Sequence, residues 1–244
     1  MGRRGPAGCG KSPHAVVRRP GPLKCPRRPR ALTARRRRYD RAVAATRYGI
    51  LVYDDVEVLD AFGPFEVFSV AARLSAGSPR GSAGATLVSA YPDRPIVTAR
   101  GGLRVCADVS IATAPEFDVL LVPGGVTHSA ETDPDLLTWI AARASTPIVA
   151  SVCTGAFLLA AAGVLTDHRV TTHWDDLDDL ARRFPELTVL DGPRWVHDRG
   201  IYTSAGISAG IDLALHLVSS VDDDLARHVA RQMDYRRSGD PGSA

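Results

Sequence analysis

Pro147-Ile148-Val149-Ala150-Ser151-Val152-Cys153-Thr154-Gly155 runs straight into Ala156-Phe157-Leu158-Leu159-Ala160-Ala161-Ala162. The first segment is a short apolar run suited to a buried strand; the second is a helix of small apolar residues. One cysteine falls on the turn between them. A thiol there faces the N-terminal end of the following helix, whose partial positive charge favours thiolate over thiol. Cys153 is therefore the candidate nucleophile. The alternative is a buried small hydrophobe, the usual state of a free cysteine.

Outward from this elbow the same alternation recurs. Tyr48 to Tyr53 reads as a buried strand, and Asp54 to Glu57 as a turn. Gly63-Pro64 sits where a helix should begin, since proline suits the first helical position, and the helix runs to about Leu74. Ser75 to Gly84 is a loop, Ala85 to Tyr91 a second strand, and Ile96 to Val109 a hairpin-like section. Phe117 to Val122 is a parallel-type strand ending at Pro123-Gly124-Gly125, and a helix spans Asp133 to Ser145. After the elbow, Arg169 to Thr172 is a strand delivering His173. Asp175 to Phe184 is a helix and Thr188 to Leu190 a strand. Trp195 to His197 and Ile201 to Ser204 flank a turn, and helices cover Ala209 to Val221 and Asp223 to Gln232. The pattern predicts the α/β class: a mostly parallel sheet with helices on both faces and a site at the C-terminal ends of its strands.

Several residues in loops after strands carry chemistry in that arrangement. Asp60, among apolar neighbours, is a carboxylate whose pKa desolvation raises, suiting it to proton donation; the alternative is a helix cap. Gly124 and Gly125 let backbone N–H groups face the cleft and, with the Thr154 amide, stabilise a developing anion; the alternative is a plain tight turn. His173 either orients the thiol or is simply packed. His128 lines the mouth; His168, His197, His216 and His228 read as structural or surface. Cys106 reads as structural, and the Asp175-Asp176 and Asp178-Asp179 pairs as a solvated helix face. No residue pattern calls for a metal, nucleotide or other cofactor.

The chain has 244 residues and a net charge of +3. That average hides two unlike parts. Residues 1–46 hold 14 Lys and Arg and one acid, Asp40, leaving 16 basic and 26 acidic residues beyond, a net charge of −10. The basic pI therefore gives no reason for the body to bind nucleic acid. Residues 1–45, rich in Arg, Pro and Gly, are expected to be a disordered tail, 46–236 the folded domain, and 237–244 a flexible C-terminus. No apolar run is long enough for a membrane span. Four cysteines without metal spacing fit a reduced, cytoplasmic protein.

From about Arg47 to Tyr235 the body resembles the DJ-1/PfpI superfamily, in its isonitrile hydratase-like branch. The residues that carry the resemblance are Leu59-Asp60 with Gly63-Pro64, Val122-Pro123-Gly124-Gly125, Ser151-Val152-Cys153-Thr154-Gly155, Ala161-Ala162-Gly163, Thr171-Thr172-His173-Trp174, Arg194-Trp195-Val196 and Ala205-Gly206-Ile207-Ser208-Ala209-Gly210-Ile211-Asp212. The resemblance implies a flavodoxin-like three-layer sandwich, related to class I glutamine amidotransferases, that works as a homodimer on a small-molecule substrate without a cofactor. It implies Cys153 as nucleophile, Asp60 as its acid/base partner, and His173 near the thiol. Thr154 stands where peptidase-like members carry a histidine, which disfavours a protease. The implied activity is addition of water to an isonitrile, giving an N-substituted formamide. The same branch includes the sensor half of AraC-type transcription regulators, so a non-catalytic ligand or redox sensor linked to transcriptional control is the alternative. Because the chain ends soon after Tyr235, no room is expected for their helix-turn-helix domain, nor direct DNA binding by the folded part.

Overall fold

In the computed structural model, residues 1–2, 46–76, 78 and 82–237 are described. The sequence expectations for 3–45 and 238–244, including Cys9 and Cys25, lie outside them. The described residues from Thr46 onward make up one structural unit. In chain order its elements are β1 (Thr46–Val52), α1 (Val58–Leu74), β2 (Ser82–Ser89), β3 (Ile96–Thr98), β4 (Arg104–Cys106), β5 (Val109–Ser110), β6 (Val119–Val122), α2 (Pro134–Ala142), β7 (Ile148–Val152), α3 (Gly155–Ala161), β8 (Arg169–Val170), α4 (Leu177–Arg183), β9 (Thr188–Val189), β10 (Trp195–Asp198), β11 (Ile201–Ser204), α5 (Ala209–Val221) and α6 (Asp223–Gln232).

The seven-stranded sheet has the order β10-β11-β7-β6-β1-β2-β5. Every pairing in it is parallel except β10 with β11. β6 and β7 are buried along their whole lengths, which explains their unbroken apolar reading. The crossover β1-α1-β2 runs toward one edge of the sheet and β6-α2-β7 toward the other. Right-handed crossovers in opposite directions place α1 and α2 on opposite faces. α1 packs with α5 and α6, and α2 with α3, giving the two helical layers. Among the described residues no helix is long and apolar enough to cross a membrane.

Two expectations are corrected. Gly63-Pro64 does not open α1, which begins at Val58. Instead the pair lies where α1 crosses α5: a Cβ on Gly63 would sit 2.9 Å from Ile211 Cγ1, and one on Gly210 3.4 Å from Pro64 Cγ. Close helix approach, rather than helix initiation, explains these residues, and it moves Asp60 from a loop into the first helical turn. Likewise, β8 is not a strand of the main sheet but pairs with β9 in a separate two-stranded ladder. His173 reaches the site because Thr171 N–H donates to Thr203 Oγ1 (2.9 Å) and Thr172 Oγ1–H to the Cys153 carbonyl (2.8 Å).

Candidate active site

The parallel strands β1, β6, β7 and β11 end on one edge of the sheet, and the chain that follows each contributes a piece of one site. β7 delivers Cys153, whose backbone is held on two sides. Its N–H donates to the Ser204 carbonyl (3.0 Å), and its own carbonyl accepts from Thr172. Between these anchors Cys153 adopts φ 56°, a left-handed conformation rare outside glycine. Such strain persists only where surrounding structure imposes it, and it projects the side chain from a sharp strand-to-helix turn. Gly155 makes the turn possible: a Cβ there would lie 2.1 Å from the Val122 carbonyl oxygen.

Asp60 is fully buried. The Gly124 N–H donates to its Oδ2 (3.1 Å), while Oδ1 is buried with no hydrogen-bond partner. Burial is the largest influence and pushes its pKa up to about 7, against the Gly124 amide, the Cys153 thiol and the Ile207 N–H, which favour the ion. Cys153 is pushed up to about 12, first by burial and then by Asp60; the Thr154 N–H opposes this. The expected helix-end thiolate is therefore corrected. A buried site with a carboxylate beside the sulfur outweighs the short α3 helix, and the resting thiol keeps its proton. Asp60 and Cys153 share one titrating system, with Asp60 the group poised near neutrality.

Gly124 and Gly125 are brought to the site, but their amides do not face an empty cleft. Gly124 N–H holds Asp60, and Gly125 N–H donates to Thr154 Oγ1 (2.9 Å), whose hydroxyl donates back to the Gly125 carbonyl (2.9 Å). Gly124 must be glycine, since a Cβ would lie 2.6 Å from both Thr154 N and Oγ1. The Thr154 amide is the one that acts on the sulfur. His173 stands at the edge of the site. Its Nδ1 is 3.3 Å from Asp176 Oδ2 and 3.3 Å from the Asp175 N–H. After burial, the largest influence on the thiol is the charge of Asp60.

Three contributors escaped the sequence reading. Tyr53, ending the β1 segment, is buried with its hydroxyl on the Pro123 carbonyl (3.0 Å) and acts electrostatically with both Asp60 and Cys153. The Ile207 N–H lowers the Asp60 pKa. Asp176, read as part of a solvated face, instead faces His173 and raises the Cys153 pKa. Cys106, read as structural, is exposed, and so is His128. Among the described residues no cluster of three or more His, Cys, Asp or Glu could hold a metal ion.

The DJ-1/PfpI family profile matches residues 47–220. Isonitrile hydratase of Pseudomonas putida is 33% identical over 208 residues, covering 82% of this chain and 85% of that protein. The transcriptional regulator GbdR of Pseudomonas aeruginosa is 32% identical over 143 residues, 58% of this chain but 39% of the regulator. A THiJ/PfpI family protein from Pseudomonas syringae superposes with a TM-score of 0.69 and 28% identity, covering 88% of this chain and 85% of that one.

Proposed function

The chain belongs to the DJ-1/PfpI family, and from that premise we propose that it is a cysteine-dependent hydratase that adds water to an isonitrile. The observation that carries this reading is that Cys153 and Asp60 are both buried and act on each other, with burial pushing the Asp60 carboxyl up to about 7. An isonitrile needs this pairing, because its terminal carbon must gain both a nucleophile and a proton. The extensive likeness to isonitrile hydratase supports the substrate class.

In the proposed sequence Cys153 and Asp60 divide the bond making and the proton transfers between them. Ionised Asp60 takes the thiol proton as sulfur bonds to the isonitrile carbon, then returns it to that carbon. The product is a thioimidate, R–N=CH–S–Cys153. Asp60, ionised again, takes a proton from water as the water oxygen attacks the same carbon, and the substrate nitrogen is protonated. The tetrahedral species collapses with cleavage of the C–S bond, giving R–NH–CHO, and the remaining proton returns to sulfur. The Thr154 N–H stabilises charge on sulfur, and the Gly125–Thr154 bonds fix that amide. Because Asp60 handles the proton at each stage, free thiolate need never accumulate.

The expected outcome is conversion of at least one member of an isonitrile panel to its formamide, with Cys153→Ala reducing turnover to background. Chromatography reports the formamide, and intact-mass measurement reports a transient adduct on Cys153. Wild-type protein inert toward the whole panel sinks the reading. Similarity to the regulator GbdR supports a second reading, a ligand sensor. Tight reversible ligand binding without turnover, measured calorimetrically, selects it. Sedimentation is expected to show a homodimer under either reading.

A further inference from the structure

We propose that Tyr53 is a positioning residue for Asp60: its hydroxyl holds the Pro123–Gly124 peptide so that the Gly124 N–H stays on the Asp60 carboxylate. The inference rests on the reading of Asp60 as the acid/base group.

Two hydrogen bonds meet on one peptide unit. The Tyr53 hydroxyl donates to the Pro123 carbonyl (3.0 Å), and the Gly124 N–H donates to Asp60 Oδ2 (3.1 Å). That carbonyl and that N–H belong to the same plane, and in a trans peptide they point in opposite directions. Fixing one fixes the other. The two bonds also run head to tail, from hydroxyl to carbonyl and from N–H to carboxylate. Donation by Tyr53 therefore polarises the peptide and strengthens its N–H as a donor.

The plane needs such a hold. Rotation about the bonds on either side of a peptide is soft, and Gly124 brings no side chain to resist it. A Cβ there would lie 2.6 Å from Thr154 N and 2.9 Å from Asp60 Oδ2, so side-chain packing cannot take the place of a hydrogen bond. The next two planes are secured separately. The Gly124 carbonyl accepts from the Glu57 N–H (2.8 Å), and the Gly125 N–H donates to Thr154 Oγ1 (2.9 Å). The Gly125 carbonyl accepts from the Thr154 hydroxyl (2.9 Å), and the Val126 N–H donates to the Asp55 carbonyl (3.0 Å). Asp60 aside, the first plane is held by Tyr53. Tyr53 is itself firmly placed, since its side chain is buried and its own carbonyl accepts from the Val56 N–H (3.2 Å).

No charge changes with the Tyr53 hydroxyl. Burial keeps it protonated well beyond neutral pH. Glu57, ahead of α1, and Cys153, at the elbow, act on Asp60; Glu131 and Tyr91 act on Tyr53, and Asp176 on Cys153. Replacing Tyr53 by phenylalanine leaves all of these groups in the chain and keeps the ring in the core. What it removes is the grip on the peptide.

The test is a pH titration of 13C-labelled aspartate carboxyls and 15N-labelled amides by NMR, with Asp60 assigned by its absence in Asp60→Asn. In Tyr53→Phe the Asp60 midpoint is expected to rise by about 0.5 pH unit, part of the worth of one N–H bond to a carboxylate. The Gly124 amide proton is expected to move upfield as its bond weakens. Tyr91→Phe removes a hydroxyl bonded to the Asp54 N–H instead, and is expected to leave both signals in place. An unchanged or lowered midpoint in Tyr53→Phe, a rise without movement of the Gly124 amide, or equal changes in Tyr91→Phe overturns the proposal. In the wild-type protein the Gly124 amide proton is expected to follow the Asp60 titration, and an amide indifferent to it overturns the proposal even without the variant. No substrate enters this measurement. A protein inert to isonitriles thus fails the hydratase reading, while the titration decides the role of Tyr53 separately.

Discussion

Asp60 binds its proton more tightly in the folded protein than in the unfolded chain, because burial removes its carboxyl from bulk solvent. Its folded pKa of about 7 lies above the ordinary 3.8. For a raised pKa the associated stability is present in full below the unfolded value and is lost as pH rises through the folded one. Across that whole window the loss amounts to about 4 kcal/mol as an upper bound, since Cys153 shares the titration. Asp60→Asn carries no charge to desolvate and escapes this loss. The stability of the variant relative to wild type is therefore expected to increase by about 2–3 kcal/mol between pH 5 and pH 8. Urea unfolding at the two pH values measures it, and a difference independent of pH contradicts a buried, neutral-range carboxyl. The same replacement is expected to reduce turnover severely, so the residue that limits stability is the one the chemistry requires.

At the scale of elements, the site is built by strands ending beside one another, and a tight joint forms where α3 starts against the end of β6. The Cβ that alanine would add at Gly155 meets backbone: Val122 O at 2.1 Å and Pro123 C and O at 2.9 Å. Backbone of a central strand has no rotamer with which to yield. Gly163, by contrast, has φ 71° but no atom within 4 Å of its missing Cβ, so alanine there costs only conformational strain, about 1–2 kcal/mol. Gly155→Ala is expected to cost more than Gly163→Ala, about 3 kcal/mol or above, by urea unfolding. A reversed order argues against the tight packing of the elbow. The elbow at Cys153 was legible in the chain, because a cysteine between an unbroken apolar run and a small-residue helix fits few structures, but its packing on the end of β6 was not. The bounds of α5 and α6 were legible from apolar periodicity and from Asp222, which caps α6 by accepting from the Leu225 N–H. The start of α1 was not: Gly63-Pro64 carries a helix-start signal but serves a helix crossing, a tertiary fact. Ile207 was hidden because its contribution is an amide that every residue type except proline carries. Asp176 was hidden because two adjacent aspartates at helical spacing look the same whether they meet water or a histidine three residues earlier.

Over the whole molecule, charge is divided more sharply than structure requires. The family match begins at residue 47 and β1 at Thr46, just where the basic composition ends. Removing residues 1–45 takes away 14 basic residues and Asp40, turning a net charge of +3 into −10. None of the site residues lies in the deleted part, so the shortened protein is expected to keep its thermal midpoint and any isonitrile turnover within about twofold, the scale of surface changes remote from a site. Its behaviour toward polyanions is expected to change completely. Duplex DNA presents a dense row of phosphates, and an acidic surface is repelled from it, whereas a cluster of arginines releases counterions on contact. Binding of the full chain to random-sequence duplex should therefore weaken steeply with added salt and vanish for the shortened protein, as followed by fluorescence anisotropy. Retention of binding by residues 46–244 would place a nucleic-acid surface on the acidic α/β body, where neither its net charge nor the chemistry around Cys153 provides for one.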